Sequence, residues 1–307
     1  MNFLGKGASK AKITVGLDIG SVSIKAAKIK SSLGGAELVD FAQEPALPDP
    51  LSSLKKIKEE KGIDSVNTSI SGISTVLRYV VFPKMSREEL KQALKFEAQK
   101  HIPFAVNEAN LDGAILKNDL PENKMLVLLA AAKKDFVSQR LKLLSDAGIK
   151  AEAVDLDSLA LFNCFNAVFS KEDLKNNKTF AILNIGAVNS NLNIVDDGIL
   201  KLSRDIRFGS SNITGKVETA LGGLANEIRV SFDFFESQNA SSAGKIFLSG
   251  GGSAVAGLKD ALAGLLGIEA ESWDLLKKVK AAGTVNAEKL KEVAPALTVA
   301  AGLALRE

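Results

Sequence analysis

Cysteine, histidine, tryptophan and tyrosine are nearly absent from this sequence, and each occurs once in 307 residues. A single cysteine, Cys164, cannot form a disulfide within the chain, which is typical of proteins kept in a reducing compartment. One cysteine and one histidine, His101, are too few for a zinc site. Cys164 lies in an apolar stretch, 159–168, so we expect a buried small hydrophobic residue instead of a reactive thiol.

Charge of one sign and long apolar runs are also lacking. The net charge is +3, so the sequence has no basic excess of the kind that nucleic-acid-binding domains carry. The apolar stretch 126–132 is far shorter than a membrane span, and no apolar signal core follows the basic segment 1–12. We therefore expect a cytoplasmic chain that binds no nucleic acid. Residues 1–11 are interpreted as a frayed tail or a small basic anchor for anionic lipid.

Composition and length favour a globular chain of two domains. Hydrophobic residues make up 46% of the sequence and charged residues 24%, which excludes bulk disorder. A chain of 307 residues exceeds one ordinary core. The charged, Asn-rich stretch 171–178 is the predicted boundary between a first half, 1–175, and a second half, 176–307.

Two stretches follow the same pattern of three short strands. Apolar residues alternate through 13–43, with a turn at 20–21, which predicts an antiparallel meander. The pattern returns through 179–206, where 186–187 and 197–198 are the turns. This repetition predicts an internal duplication.

A module of different character follows the first meander. Ser86 and Glu89 have the spacing of a helix-capping box, so a helix is expected to begin after Ser86. Two strands and a second helix are predicted to follow. We interpret residues 83–150 as a helix–strand–strand–helix subdomain inserted in the first half.

Three glycine-containing turns suggest phosphate binding, because backbone amides in such turns approach an anion closely. The first is Asp-Ile-Gly-Ser-Val-Ser-Ile-Lys at 18–25, and the second is Asn-Ile-Gly-Ala-Val-Asn-Ser-Asn at 184–191. The third, Ser-Gly-Gly-Gly-Ser at 249–253, lies between a predicted strand and a predicted helix. Each turn alone is a weak signal, but one related hairpin per half predicts two lobes that hold a polyphosphate between them.

The residues expected to bind a nucleotide come from these turns. Asp18 ends an apolar strand and is placed to hold Mg²⁺ through water, and Lys25 is the nearest cation. The full predicted set is Asp18, Gly20, Ser21, Ser23, Lys25, Asn184, Gly186, Ala187, Asn189, Gly250, Gly251 and Gly252.

The order of the three turns resembles the actin/Hsp70/sugar-kinase ATPase fold, and four stretches more closely resemble the PilM family of type IV pilus assembly proteins. They are Gly-Leu-Asp-Ile-Gly-Ser at 16–21, Lys-Phe-Glu-Ala-Gln-Lys-His-Ile-Pro-Phe at 95–104, Phe-Asp-Phe-Phe-Glu-Ser-Gln at 232–238 and Ala-Ala-Gly-Leu-Ala-Leu-Arg at 300–306. The resemblance covers nearly the whole chain. It implies an α/β, actin-like (ribonuclease H-like) duplicated two-lobed ATPase fold with an FtsA-like inserted subdomain in the first lobe.

The resemblance also implies partners. A PilM-like scaffold binds ATP with Mg²⁺ and captures the N-terminal cytoplasmic peptide of a PilN-like membrane protein, which links the pilus inner-membrane platform to motor ATPases. The peptide is expected between the first-lobe core and the inserted subdomain, near Phe96, Ile102, Pro103 and Phe104. The protein would lie at the periphery of the inner membrane. The sequence leaves open whether it forms a homodimer.

The sequence departs from the family pattern in two places. Asn184 stands where the family usually has aspartate, and a neutral amide cannot act as a base. The segment 208–230 is shorter than usual, which predicts a reduced outer subdomain in the second lobe and fewer contacts with a nucleotide. We therefore expect weak or no ATPase activity and assign no catalytic residue.

Two other functions of the same fold stay open. A small-molecule kinase needs a carboxylate base at the cleft, and Asp155 or Asp157 is the candidate, although a helix N-cap would explain either residue. An FtsA-like filament former needs an amphipathic anchor helix, which the stretch 303–307 is too short to form.

Overall fold

The computed structural model describes residues 11–170 and 172–306. The tail interpreted as a lipid anchor, 1–11, lies almost entirely outside these residues. Within them, none of the helices combines the length and the apolar character that a bilayer span requires.

Strands and helices alternate along the chain. The first half contains β1 (Lys12–Ile19), β2 (Ser23–Ser32), β3 (Gly35–Pro45), α1 (Pro50–Lys61), β4 (Ser65–Ile70), β5 (Thr75–Pro83), α2 (Arg87–Glu97), β6 (Ala109–Leu120), β7 (Lys124–Lys133), α3 (Lys134–Asp146), β8 (Lys150–Leu156) and α4 (Asp157–Val168). The second half contains β9 (Thr179–Ile185), β10 (Ser190–Asp196), β11 (Ile199–Ile206), α5 (Val217–Ala220), α6 (Gly222–Gln238), β12 (Lys245–Ser249), α7 (Leu258–Leu266), β13 (Glu269–Ser272), β14 (Lys280–Ala281), α8 (Ala287–Val293) and α9 (Thr298–Ala304).

Two sheets repeat one strand order. The first-lobe sheet has the order β14-β3-β2-β1-β4-β8, and the second-lobe sheet has the order β11-β10-β9-β12-β13. Each contains an antiparallel meander followed by two parallel strands, and β14 adds a short parallel strand at the outer edge of the first. β12 is buried along its whole length, as a strand covered on both faces must be. The shared topology confirms the predicted duplication and the α/β class.

A smaller sheet, in the order β5-β7-β6, forms the inserted module together with α2. The predicted capping box is present, because Ser86 Oγ accepts a hydrogen bond from the Glu89 amide and the Glu89 carboxylate accepts one from the Ser86 amide. β5 pairs with β7 along its whole length, so the small sheet also includes residues ahead of position 83. α3 instead packs on the first-lobe core through Leu144.

Helices α4 and α9 lie between the two lobes, and their backbones are in close contact. Gly302 on α9 lies against the backbone of α4, and Gly16 on β1 lies against the backbone of α9. A Cβ atom at either glycine would overlap a backbone oxygen. The side-chain amide of Asn67, on β4, also donates to the Leu303 carbonyl at 2.9 Å. α9 is therefore part of the first-lobe core, although it comes from the second half.

Aromatic rings fix α4 to the second-lobe sheet. The Phe165 ring lies 5.1 Å from Phe180 of β9 and 5.0 Å from Phe247 of β12, measured between ring centroids. Trp273 closes the cluster at 5.4 Å from Phe165. Cys164, beside these rings, is fully buried, as predicted for a small hydrophobic residue.

The segment between β11 and β12 is short and lies on the second-lobe sheet. It contains a 3₁₀ turn at Ser210–Asn212, followed by α5 and α6. Leu224, Ala225 and Ile228 of α6 are fully buried in the second-lobe core. The stretch for which a reduced outer subdomain was predicted, 208–230, falls on these elements.

Candidate functional site

The first glycine turn joins β1 to β2 and carries a paired carboxylate and ammonium group. Asp18 and Lys25 face each other in the strand register, and Lys25 Nζ lies 3.0 Å from Asp18 Oδ2. Each side chain is only 13% exposed. The Gly20 amide donates to the Ser23 carbonyl at 3.1 Å, and Ser21 is exposed at the tip. A side chain at Gly20 would approach Lys25 Nζ within 3.0 Å, so glycine leaves room for the ion pair.

The second glycine turn joins β9 to β10 and is braced by the chain that follows β11. The Gly186 amide donates to the Asn189 carbonyl at 3.0 Å. The Ser210 and Ser211 amides then donate to the Gly186 and Ala187 carbonyls, each at 2.9 Å. The short segment after β11 therefore fixes the shape of this turn.

The third glycine turn packs directly on the second. Gly250 has a φ of +83°, a conformation that favours glycine, and a Cβ atom there would lie 2.7 Å from Asn184 Oδ1. Gly251 begins a short 3₁₀ helix, and Gly252 lies against the Ile185 side chain. The structure thus brings the two predicted turns of the second half together.

A row of polar side chains crosses the second-lobe sheet beside these turns. In the strand register, Asp205, Asn191, Asn184 and Ser249 are direct neighbours, so they share one face of the sheet. Ser249 Oγ donates to Asn184 Oδ1 at 3.4 Å. Asn191 Nδ2 lies 3.3 Å from Ser158 Oγ, near the start of α4. The row therefore faces the beginning of α4.

Asp157 is the first residue of α4 and interacts electrostatically with Asp18 of the first turn. Burial raises the pKa of Asp157 to about 6, and the negative charge of Asp18 adds to the rise. The hydroxyl groups of Ser69 and Ser71 and the positive charge of Arg140 partly oppose it. We call Asp18, Lys25, Arg140 and Asp157 the α4 cluster. The start of α4 thus lies beside Asn191 of the second hairpin and interacts with Asp18 of the first. Phosphate binding by the residues of both hairpins stays a prediction.

Arg140 was not apparent from the sequence, whereas Asp157 was one of the two candidate carboxylates. Arg140 comes from α3, and both of its terminal nitrogens lie 3.3 Å from the Ile19 carbonyl at the end of β1. No local motif marks this residue, since it reaches the cluster only after α3 packs on the core. The alternative explanation of Asp155 and Asp157 as helix caps is wrong, because Leu156 occupies the N-cap and makes no side-chain capping bond. Asp155 instead lies 3.2 Å from Arg306.

A groove of about 650 Å³ separates the inserted module from the first-lobe core. We call it the β6–α3 groove. Five consecutive residues of β6, 110–114, form one side, and α3 and the start of α4 form the other. Its apolar lining includes Leu128, Ala130, Val137, Leu141 and Leu159.

The four residues predicted to contact a peptide lie elsewhere in the inserted module. Ile102 is buried in the core of the module, so its side chain is not available to a ligand. Phe104 is half-buried beneath Lys133, whose Nζ lies 5.7 Å from the ring centroid. Pro103 is exposed, and Phe96 is 77% exposed on α2. None of these four residues lines the β6–α3 groove. Ile102 packs into the core of the module, whereas Phe96 and Pro103 face solvent.

Comparison with known proteins gives matches along nearly the whole chain. The family model "Type IV pilus assembly protein PilM" matches residues 16–223 and 220–307. The solved "PilM-PilN type IV pilus biogenesis complex" contains a chain with a TM-score of 0.82 and 26% sequence identity, and the match covers 95% of this chain and 98% of that one. These matches confirm the predicted actin-like fold.

Two further solved structures are more distant. The ethanolamine utilization protein EutJ from Carboxydothermus hydrogenoformans has a TM-score of 0.49 and 10% identity, covering 97% of this chain and 91% of that one. The cytoplasmic domain of EpsL, an inner-membrane component of the type II secretion system of Vibrio cholerae, has a TM-score of 0.49 and 12% identity, covering 77% and 82%.

Proposed function

The chain belongs to the PilM family of type IV pilus assembly proteins, and we propose that it is a scaffold that binds a PilN-like peptide in the β6–α3 groove and ATP with Mg²⁺ at the α4 cluster. Similarity to a chain solved in a PilM–PilN complex supports the peptide partner. The peptide is the N-terminal cytoplasmic segment of a membrane protein. Its capture holds the scaffold at the inner membrane, between the pilus platform and its motor ATPases.

The form of the β6–α3 groove carries this proposal. β6 is an edge strand of the small sheet, and its residues 110–114 line the groove in sequence. An edge strand offers backbone N–H and C=O groups to an added strand. Val137 and Leu141 of α3 lie on the facing side. A peptide paired with β6 therefore places alternate side chains against an apolar wall.

Calorimetry of the full chain with a synthetic N-terminal peptide of a PilN-like protein tests the partner. Leu141→Asp is expected to weaken binding at least tenfold, because a carboxylate in the groove must be desolvated without a partner. Leu141 is 40% exposed, so the variant should fold. Val230→Asp is the matched control, since Val230 is 48% exposed on α6 of the other lobe. If the peptide does not bind to the wild type, the proposed scaffold function is refuted. If both variants lose the same amount of peptide affinity, the groove is not the binding site.

The α4 cluster suits a magnesium–polyphosphate. When the nucleotide is bound, Asp18 would hold the ion through water, and Lys25 would release Asp18 and hold a phosphate oxygen. Gly186 and Gly250 place no side chain on the second and third turns. Calorimetry with ATP–Mg²⁺ tests this site, and Asp18→Asn is expected to reduce affinity most when Mg²⁺ is present.

We propose that hydrolysis is weak or absent. Asn184 lies near the end of β9, just before the second turn, and its neutral amide cannot accept a proton from water. The outer part of the second lobe consists of α5 and α6, which lie on the sheet, so less wall is available to enclose a nucleotide. A phosphate-release assay that shows steady turnover of ATP alone would contradict this part.

One observation favours a second function, a small-molecule kinase. Asp157 is a carboxylate with a raised pKa near the predicted magnesium residue, which are the properties of a general base for a hydroxyl group. A turnover screen of ATP against sugars and carboxylic acids separates the two functions. Substrate-dependent turnover that Asp157→Asn abolishes would favour the kinase, and an empty screen would favour the scaffold.

A further inference from the structure

A second groove adjoins the β6–α3 groove on the first lobe. It has a volume of about 890 Å³ and is lined by the start of β1, the end of β2, one side of α4 and the end of the described chain. We call it the α4–β2 groove. Its polar lining residues include Thr14, Ser31, Ser32, Asn163, Asn166 and Arg306.

The two grooves meet at three residues. Asp155, Leu159 and Arg306 line both of them. Arg306 Nε donates a hydrogen bond to Asp155 Oδ2 at 3.2 Å, so an ion pair lies where the grooves join. The Arg306 side chain is 44% exposed. Because a guanidinium group has five N–H donors, Arg306 keeps donors for a chain that passes over this boundary.

Helix α4 runs along both grooves. Leu159, Asn163 and Asn166 follow one another at intervals of four and three residues, so they form one stripe of the helix. Leu159 belongs to the apolar lining of the first groove, and the two asparagines line the second. From Leu159 to Asn166 the helix rises about 10 Å. This distance corresponds to about three residues of extended peptide.

The chemical character of the lining changes at the boundary. The wall of the first groove is apolar, whereas the second groove offers the hydroxyl groups of Thr14 and Ser31 and two side-chain amides. Asn163 is half-buried and Asn166 is exposed, so both amides are open to a ligand. A side-chain amide both donates and accepts hydrogen bonds, which is what an extended backbone or a polar side chain requires. The second groove therefore suits a polar stretch of chain.

We infer that the α4–β2 groove is a second subsite for the peptide, and that it binds the polar residues that adjoin the peptide's apolar stretch. The inference rests on the proposed function, since both grooves hold one ligand. Continuity selects this occupant, because a chain that pairs with β6 and leaves the first groove past Arg306 enters the second groove directly. The partner's tail is therefore held over a longer stretch than β6 alone can pair with.

Calorimetry of the full chain with two synthetic peptides tests the subsite. One peptide is the complete N-terminal segment of a PilN-like protein, and the other is trimmed to its apolar stretch. The wild type should bind the complete peptide about tenfold more tightly, because each added hydrogen bond contributes a modest free energy. The double variant Asn163→Ala, Asn166→Ala should lose most of this difference and keep the wild-type affinity for the trimmed peptide. A merely structural defect would weaken both peptides.

Asn226→Ala is the matched control, because Asn226 is an exposed asparagine on α6 of the other lobe. It should keep the tenfold difference. Ala167→Trp tests the same subsite without removing a polar group. Ala167 is exposed and lines the α4–β2 groove, so an indole ring there should obstruct the complete peptide only. This variant keeps the inference testable if the double variant does not fold.

Amide hydrogen exchange gives a second readout. Exchange at residues 32–34, which follow the end of β2 at the rim of the groove, should slow when the complete peptide binds and stay unchanged with the trimmed one. Equal affinities of the two peptides for the wild type would overturn the inference and keep the proposed function. A tenfold difference that survives in both groove variants would also overturn it. A wild type that binds neither peptide refutes the inference and the proposed function together.

Discussion

Replacing Asp157 by asparagine is expected to stabilise the protein above about pH 6 and to leave its stability unchanged near pH 4. Burial, together with the charge of Asp18, raises the pKa of Asp157 from 3.8 to about 6. In the unfolded chain the carboxyl group titrates near its ordinary pKa. Between these two values the folded state keeps a proton that the unfolded state has lost. The free energy of unfolding of the wild type therefore falls as the pH rises through this window.

The size of the effect follows from the pKa difference. About two pKa units, at roughly 1.4 kcal/mol each, set an upper limit of about 3 kcal/mol. Asp157 is only half-buried by solvent exposure, so water screens part of this difference. We expect a gain of about 1–2 kcal/mol at neutral pH. Arg140 keeps the Ile19 carbonyl as a partner in the variant, which limits secondary losses.

Urea denaturation of both proteins at about pH 4 and about pH 8 measures this difference. Asp233→Asn is the control, because Asp233 is exposed on α6 of the other lobe, and its effect should not depend on pH in this way. The reasoning fails if Asp157→Asn is no more stable than the wild type at high pH. It also fails if the variant gains the same amount at both pH values, since a titrating carboxyl cannot produce a constant difference.

Three other substitutions test separate parts of the structure. Gly250→Ala should destabilise the protein by roughly 2 kcal/mol or more in urea denaturation, because the residue has a φ of +83° and its Cβ would lie 2.7 Å from Asn184 Oδ1. If the Gly250→Ala variant were as stable as the wild type, the third turn would be able to move away from Asn184. Lys25→Ala should weaken ATP–Mg²⁺ binding about tenfold or more in calorimetry, and unchanged affinity would exclude Lys25 from the site. Phe96→Ala should alter stability by less than about 0.5 kcal/mol and leave peptide affinity unchanged, because Phe96 is 77% exposed and lies outside the groove. A tenfold loss of peptide affinity would instead support the sequence-based assignment of Phe96.

The duplicated core could be predicted from the sequence because its signals are local. The alternation through β1 to β3 and the turns around Gly20 and Gly186 specify two meanders without any knowledge of distant contacts. The capping box at Ser86 was equally local, and the structure confirms it. These features depend on residues that lie within a few positions of one another.

Elements that depend on distant partners were not predicted. β13 has the sequence Glu-Ala-Glu-Ser, which does not resemble a strand, yet it pairs with β12. Lys245 Nζ, on β12, lies 2.7 Å from a carboxylate oxygen of Glu269 and of Glu271. β5 carries apolar residues typical of a strand, but no local pattern indicates that it pairs with β7. Arg140 reached the α4 cluster for the same reason, through the packing of a helix whose sequence carries no binding motif.

The packing of α9 on β1 has a consequence for biosynthesis. β1 is translated long before α9, yet Gly16 of β1 is covered only when α9 is in place. Until residues 298–304 have left the ribosome, one face of the first sheet remains open to water and to other nascent chains. The first lobe therefore completes its core only after residues 298–304 have been made, so the second half must be translated before the first can finish folding.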